Sequence, residues 1–180
     1  MLKRFLKRRV EAFERQWDYD ATYLKEVAEA SPSAWVKITL AQPLFHHRDG
    51  APPEAWFAAA AGATRLADCA PCFELALKMG RRSGLPEALI EAIRDDDEAV
   101  MSEDAATGYA FARALVGRDL ETLARLRARI VKSWGRKALV SLSTAVATAS
   151  FYPTLKYGMG RGRPIGGLAA AVAQRRAEAA

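Results

Sequence analysis

The sequence predicts an all-α fold, and three observations carry that expectation. Apolar residues recur every three to four positions through most of the 180 residues, 51% of the chain is hydrophobic with much of that alanine, and Ser, Asp, Pro and Gly stand where helices begin and end. Alanine suits closely packed helices more than strands. The length allows one domain or a compact pair of repeats, and no close internal repeat stands out.

Taken in order, Leu2, Phe5, Leu6, Val10, Phe13 and Trp17 keep helical spacing, with Lys3, Arg4, Lys7, Arg8 and Arg9 on the other sides. This gives an amphipathic first helix with a basic face, whose apolar stripe is expected to dock on the body or on a neighbouring subunit rather than on a membrane. Asp18 or Asp20 can cap a second helix through Tyr23, Leu24, Val27 and Ala28, which stops at Ser31-Pro32-Ser33. A third helix passes Trp35, Val36, Ile38, Thr39 and Leu40 and ends near Pro43. The run His46-His47-Arg48-Asp49-Gly50 reads as a polar turn. Adjacent histidines suggest a base or a metal ligand set, but neighbours in sequence cannot both face one ion from a helix, and no third ligand stands at a telling spacing. Ala51-Pro52-Pro53-Glu54 then starts a helix through Trp56, Phe57 and the alanines up to Ala61, with a break near Gly62.

The next segment organises the chain. Asp68-Cys69-Ala70-Pro71-Cys72 holds the only two cysteines, and their spacing puts both thiols on one edge of a helical turn, where a reversible disulfide can close. Asp68 reads as the N-cap, Cys69 as the first helical residue, and Pro71 sits in the first turn, where its missing N–H has no partner to lose. Unpaired N–H groups and the positive end of the helix dipole favour thiolate there, while the Asp68 carboxylate opposes it. The alternative is that two small apolar thiols simply fill a packing surface.

Downstream, Gly84-Leu85-Pro86-Glu87 opens a helix carrying Leu89, Ile90 and Ile93, and Arg94-Asp95-Asp96-Asp97-Glu98 reads as a solvated acidic link without calcium-loop spacing. From Ser102 the helical pattern resumes through Ala106, Tyr109, Phe111 and Leu115, then Leu120, Leu123, Leu126 and Ile130. Ala138 to Tyr152 reads as a buried central helix that Pro153 ends or kinks. Gly158 to Gly167 reads as a flexible basic segment that lacks the strand and helix of a nucleotide loop, and 168–180 as an Ala-rich terminal helix.

The stretch from Gly62 to Asp97, together with Ser102-Glu103-Asp104 leading into Ala105 to Ala112 and the run from Ala138 to Tyr157, resembles the carboxymuconolactone decarboxylase-like superfamily on its alkylhydroperoxidase D-like side. Only the cysteine segment is specific to that likeness. The resemblance implies an alkylhydroperoxidase D-like bundle of about eight to ten helices, with N-terminal helices over 1–50, the core over 51–160 and a helical tail over 161–180. It also implies a homo-oligomer, trimer or hexamer, and catalytic roles for Cys72 as the peroxide-attacking thiolate and Cys69 as its resolving partner. Two positions depart from the family pattern. Its histidine falls on Ala76, and its glutamate, about three helical turns before the first cysteine, falls on Phe57. Losing such acid–base relay groups removes a factor of about 100 to 10,000 in rate. Glu54, His46 or His47 are the residues that could stand in.

The net charge of +6 belongs to the ends. Residues 1–17 hold six basic and two acidic side chains and 156–180 five and one, which leaves the body two charges negative, so nucleic acid is not an expected partner. Two cysteines in a chain of this length do not form a secreted framework, and a reducing, cytoplasmic setting is expected. No secretory signal is read at the basic start, and a membrane-spanning helix is not expected, on the reading that no uncharged run reaches the roughly 18 to 20 residues it needs. The expected function is a thiol–disulfide oxidoreductase or hydroperoxide reductase reset by a dithiol protein, with no cofactor or metal implied. The alternative is a non-catalytic helical oligomer of the same fold, acting as a binding or scaffold protein; lactone decarboxylation is weaker, since no convergent His and Arg set is visible.

Overall fold

The computed structural model describes residues 2–166, with side chains from residue 4 onward. Its elements are helical: α1 (Leu2–Trp17), α2 (Thr22–Ala30), α3 (Pro32–Leu40), α4 (Gln42–Phe45), α5 (Pro53–Leu66), α6 (Ala70–Arg82), α7 (Glu87–Asp95), a 3₁₀ turn (Glu98–Val100), α8 (Glu103–Gly117), α9 (Leu120–Ala149) and α10 (Phe151–Gly158). The all-α expectation holds at this level. The helix expected over 168–180 lies outside the described residues.

The centre is the pair α5 and α8. Ala55, Ala59 and Ala63 of α5 and Ala112 of α8 are buried in one apolar cluster with α9 residues Leu123, Ile130 and Leu142. The helices approach so closely that a Cβ on Gly108 would lie 2.0 Å from the Ala55 carbonyl oxygen. Gly62 serves the same seam, because a Cβ there would sit 2.8 Å from the Tyr109 ring. The break expected near Gly62 is therefore corrected: α5 runs on to Leu66, and its small residue makes room for an aromatic neighbour.

A second cluster joins α5 to α6 and α7 through Phe57, Phe73, Leu77, Ile90 and Ile93. A third joins Leu6 and Val10 of α1, Tyr23 and Val27 of α2 and Trp35 of α3 to Tyr152, Leu155 and Met159 at the α10 end. The N-terminal helices thus share a core with the far end of the chain. α1 docks Leu6, Val10 and Phe13 inward, while Phe5 of the same stripe is 56% exposed and Arg4, Lys7, Arg8 and Arg9 face solvent.

Several boundaries differ from expectation for identifiable reasons. α2 begins after Ala21, with the Asp20 carboxylate accepting from Thr22 N–H at 2.9 Å. Ser31 caps α3, Ser102 caps α8 and Asp119 caps α9. The acidic link is not simply solvated: Asp96 ends α7 in the left-handed region and accepts a hydrogen bond from the Tyr109 hydroxyl at 2.5 Å. The run after Ala138 is buried on one face only, since Ala138, Leu142, Ala145 and Val146 are inside while Val140 is 57% exposed. That run is broken at Ser150, and Pro153 sits harmlessly in the first turn of α10.

The membrane expectation also needs correcting. Residues 138–155 run uncharged for 18 residues, and Leu120–Gly158 is, by length and composition, apolar enough to cross a membrane, with a best-window mean hydropathy of 1.2. The helix is not straight, however, because Gly135 is non-helical (φ 85°, ψ 174°) and Ser150 separates α9 from α10. The piece from 136 to 149 spans about 21 Å at 1.5 Å per residue, short of the roughly 30 Å of a bilayer core. Its buried face is held by α5 and α8.

Candidate functional site

Cys69 and Cys72 come together at the start of α6 as a disulfide, with Cα atoms 5.3 Å apart. The local geometry shifts the expected frame by one residue. Asp68 adopts φ 51°, a left-handed conformation that Asp tolerates better than most residues, and Cys69 itself is the N-cap of α6. An N-cap side chain faces the N–H of the second or third helical residue. The second is Pro71, which has none, so a reduced Cys69 sulfur faces the N–H of Cys72. No side-chain capping bond is made in the disulfide state.

Burial separates the two sulfurs' residues. Cys69 is 0% exposed and Cys72 is 7% exposed. Both sequence neighbours of Cys69 are bonded to a part of the chain that sequence reasoning left as a flexible segment. After α10, residues 161–165 run without regular structure across the cysteine corner. Ala70 N–H donates to the Arg163 carbonyl at 2.8 Å, and Ile165 N–H donates to the Asp68 carboxylate at 2.9 Å. The Tyr157 hydroxyl donates to the Asp68 carbonyl at 2.7 Å. Burial, and then the nearby Asp68 carboxylate, raise the Tyr157 pKa above its ordinary value, so the phenol keeps its proton to donate. Arg161 pairs with Glu26 of α2 and anchors the near end of the strap. Gly162 passes over the Tyr157 ring, where a Cβ would lie 2.3 Å from it. No sequence pattern announces these bonds to the corner, because four of their six partners are backbone groups.

Beside the corner lies an open cleft of about 400 Å³, lined by Asp18, Asp20, Ala70, Glu74, Lys78 and Arg163 among others. Lys78 donates to the carbonyls of Trp17 and Asp18 at 3.1 and 2.9 Å and so fixes the end of α1 against α6. Next to the cleft, Lys156 is 3% exposed, with its ammonium 4.4 Å from the Tyr19 ring centre and 5.0 Å from that of Tyr23. Desolvation lowers the Lys156 pKa, and burial raises that of Tyr19 to about 12. Sequence periodicity gave no signal for a buried lysine.

The candidate relay residues are placed elsewhere. Phe57 is buried, its ring 2.4 Å from where a Gly80 Cβ would stand, so this position is filled by packing between α5 and α6. Glu54 lies twelve residues before the end of α5, about 18 Å along the helix axis, and its carboxylate accepts from the Ser102 hydroxyl. It does not reach the cysteines. His46 and His47 are exposed after α4, with the His47 carbonyl accepting from the Trp56 indole N–H near the same far end of α5. Neither histidine replaces the missing one within the chain. Glu74 is exposed and pairs with Arg94 at 3.7 Å, away from the sulfurs. Among the described residues no three His, Cys, Asp or Glu side chains are grouped to hold a metal ion.

No protein-family model, curated protein or solved structure matches this chain.

Proposed function

We propose that this chain is a thiol–disulfide oxidoreductase of the alkylhydroperoxidase D-like type, cycling Cys69 and Cys72 between dithiol and disulfide with a hydroperoxide as oxidant and an external dithiol as reductant. The observation that carries the reading is the pair at bonding distance on a helix N-terminus, with the more accessible cysteine inside the first turn. In the oxidative half, the Cys72 thiolate attacks the terminal peroxide oxygen, the O–O bond breaks, and the alcohol leaves with a proton. The Cys72 sulfenic acid is then attacked by the Cys69 thiolate, the S–S bond forms, and water leaves. In the reductive half, a thiolate of the external dithiol attacks Cys72, and Cys69 departs. Departure of the Cys69 thiolate is helped by the backbone N–H groups and dipole at the helix start and opposed by its complete burial. The second external thiol then expels Cys72, leaving two protein thiols and one oxidised dithiol.

Without the glutamate and histidine of the family pattern, proton transfer falls to water, and turnover is slower than in relay-bearing enzymes by a factor of about 100 to 10,000. Self-association fits the same reading, since Leu40, Leu44, Val140 and Phe151 leave apolar surface on α3, α4, α9 and α10. The test is intact-mass measurement after mild peroxide. The wild-type dithiol loses two hydrogens and gains no oxygen, and Cys72→Ser abolishes both that change and any peroxide consumption. Accumulation of sulfinic and sulfonic adducts on the wild type, with no disulfide, would favour the second reading, a non-catalytic helical scaffold. The complete burial of Cys69 is what favours that alternative.

A further inference from the structure

We propose that residues 161–165 form a lid over the cysteine pair, and that this lid must lift before the disulfide can exchange with a dithiol. The inference rests on the redox reading of the pair and adds its control. The covering bonds flank the inner sulfur: Asp68 and Ala70, the two neighbours of Cys69, hold Ile165 and the Arg163 carbonyl, and Tyr157 holds Asp68 from below. Residue 69 has no solvent exposure and residue 72 has 7%, while an attacking thiolate must approach in line with the S–S bond. The strap itself is exposed at Arg161, Arg163, Pro164 and Ile165, so its own burial does little to hold it shut. Its closure over the corner depends on two hydrogen bonds and the Arg161–Glu26 pair, a low-stability element of the kind that opens locally while the rest stays folded.

The lid also forms one wall of the open cleft, where Arg163 and Pro164 stand beside Ala70 and Pro71. Lifting it frees the Ala70 N–H and the Asp68 carboxylate together, one donor and one acceptor on either side of the sulfur. An incoming polypeptide segment can satisfy both with its own main chain in place of the strap.

The test is the rate at which dithiothreitol reduces the disulfide of the full chain, followed by alkylation and intact mass. Each turnover oxidises one dithiothreitol to its cyclic disulfide and yields two protein thiols. Ile165→Pro removes the N–H that Asp68 accepts, and Tyr157→Phe loosens the Asp68 backbone that carries the accepting carboxylate. The double variant is expected to be reduced about 3-fold to about 10-fold faster than wild type, as the lost strap bond shifts the opening equilibrium. Ile165→Ala keeps the N–H and is expected to match wild type. Gly162→Val, which drives the strap off the Tyr157 ring, should also accelerate reduction and gives an independent check that leaves residues 68–72 untouched. Rates within about twofold of wild type in both the double variant and Gly162→Val, with unchanged circular dichroism, would overturn the lid. Failure of the redox reading looks different: reduced protein of every variant, lifted lid included, would then consume no hydroperoxide and re-form no disulfide.

Discussion

The seam between α5 and α8 and the corner that holds the cysteines are closed by different forces. In the seam, Gly108 and Gly62 let backbone and ring approach to contact, and each apolar neighbour is buried; closure there is a matter of volume. In the corner, closure comes from main-chain hydrogen bonds, one of them reaching across 97 residues of sequence, made by a strap whose side chains face solvent. A volume-closed region resists opening until the whole domain unfolds, whereas a region closed by a few bonds opens alone. The molecule therefore puts its cysteine pair at its softer edge and its alanines at its hardest.

That contrast can be broken at four points, in decreasing order of effect. Phe57→Ala, which empties the space between α5 and α6 beside Gly80, is expected to cost about 4 kcal/mol in denaturant unfolding. A loss below about 1 kcal/mol would mean the position is not packed as the structure shows. Gly108→Ala is expected to cost about 3 kcal/mol, because its methyl group meets the Ala55 carbonyl and neither helix can yield cheaply. Tyr157→Phe should cost about 1 kcal/mol, confined to the corner: hydrogen exchange at the Ala70 amide speeds up while the midpoint barely moves. An equal acceleration along α5 would show the two regions to be one cooperative unit.

The smallest effect is a pH dependence. Tyr157 has a folded pKa above the ordinary value of 10.0, so its contribution is complete below pH 10.0 and is lost as pH rises through the folded value. The difference in Ala70 amide protection between wild type and Tyr157→Phe should close over that window. A difference that persists well into the alkaline range would show that the hydroxyl proton does not hold Asp68.

Helix existence was legible because apolar spacing reports which side of a helix is buried, as Leu6 and Val10 show in α1 and Ile90 and Ile93 show in α7. Caps were legible where the chemistry is local, as at Ser102, and displaced where backbone geometry intervened, as at Asp68, whose left-handed φ hands the N-cap to Cys69. Gly62 was misread because a glycine that interrupts a helix and a glycine that admits Tyr109 look alike in one dimension. The cysteine pair was readable from its spacing. Its cover was not, since Ile165 and Arg163 act through their main chain and any residue other than proline carries the same N–H.

The short helix α10 has two adjacent residues with separate duties. Lys156 rests on Tyr19 and Tyr23 of the N-terminal region, and Tyr157 reaches Asp68. Neighbours on one helical turn cannot move independently, so α10 ties Tyr19 and Tyr23 to the backbone just before Cys69, and a shift of either ring is carried to Asp68 through a single turn of helix.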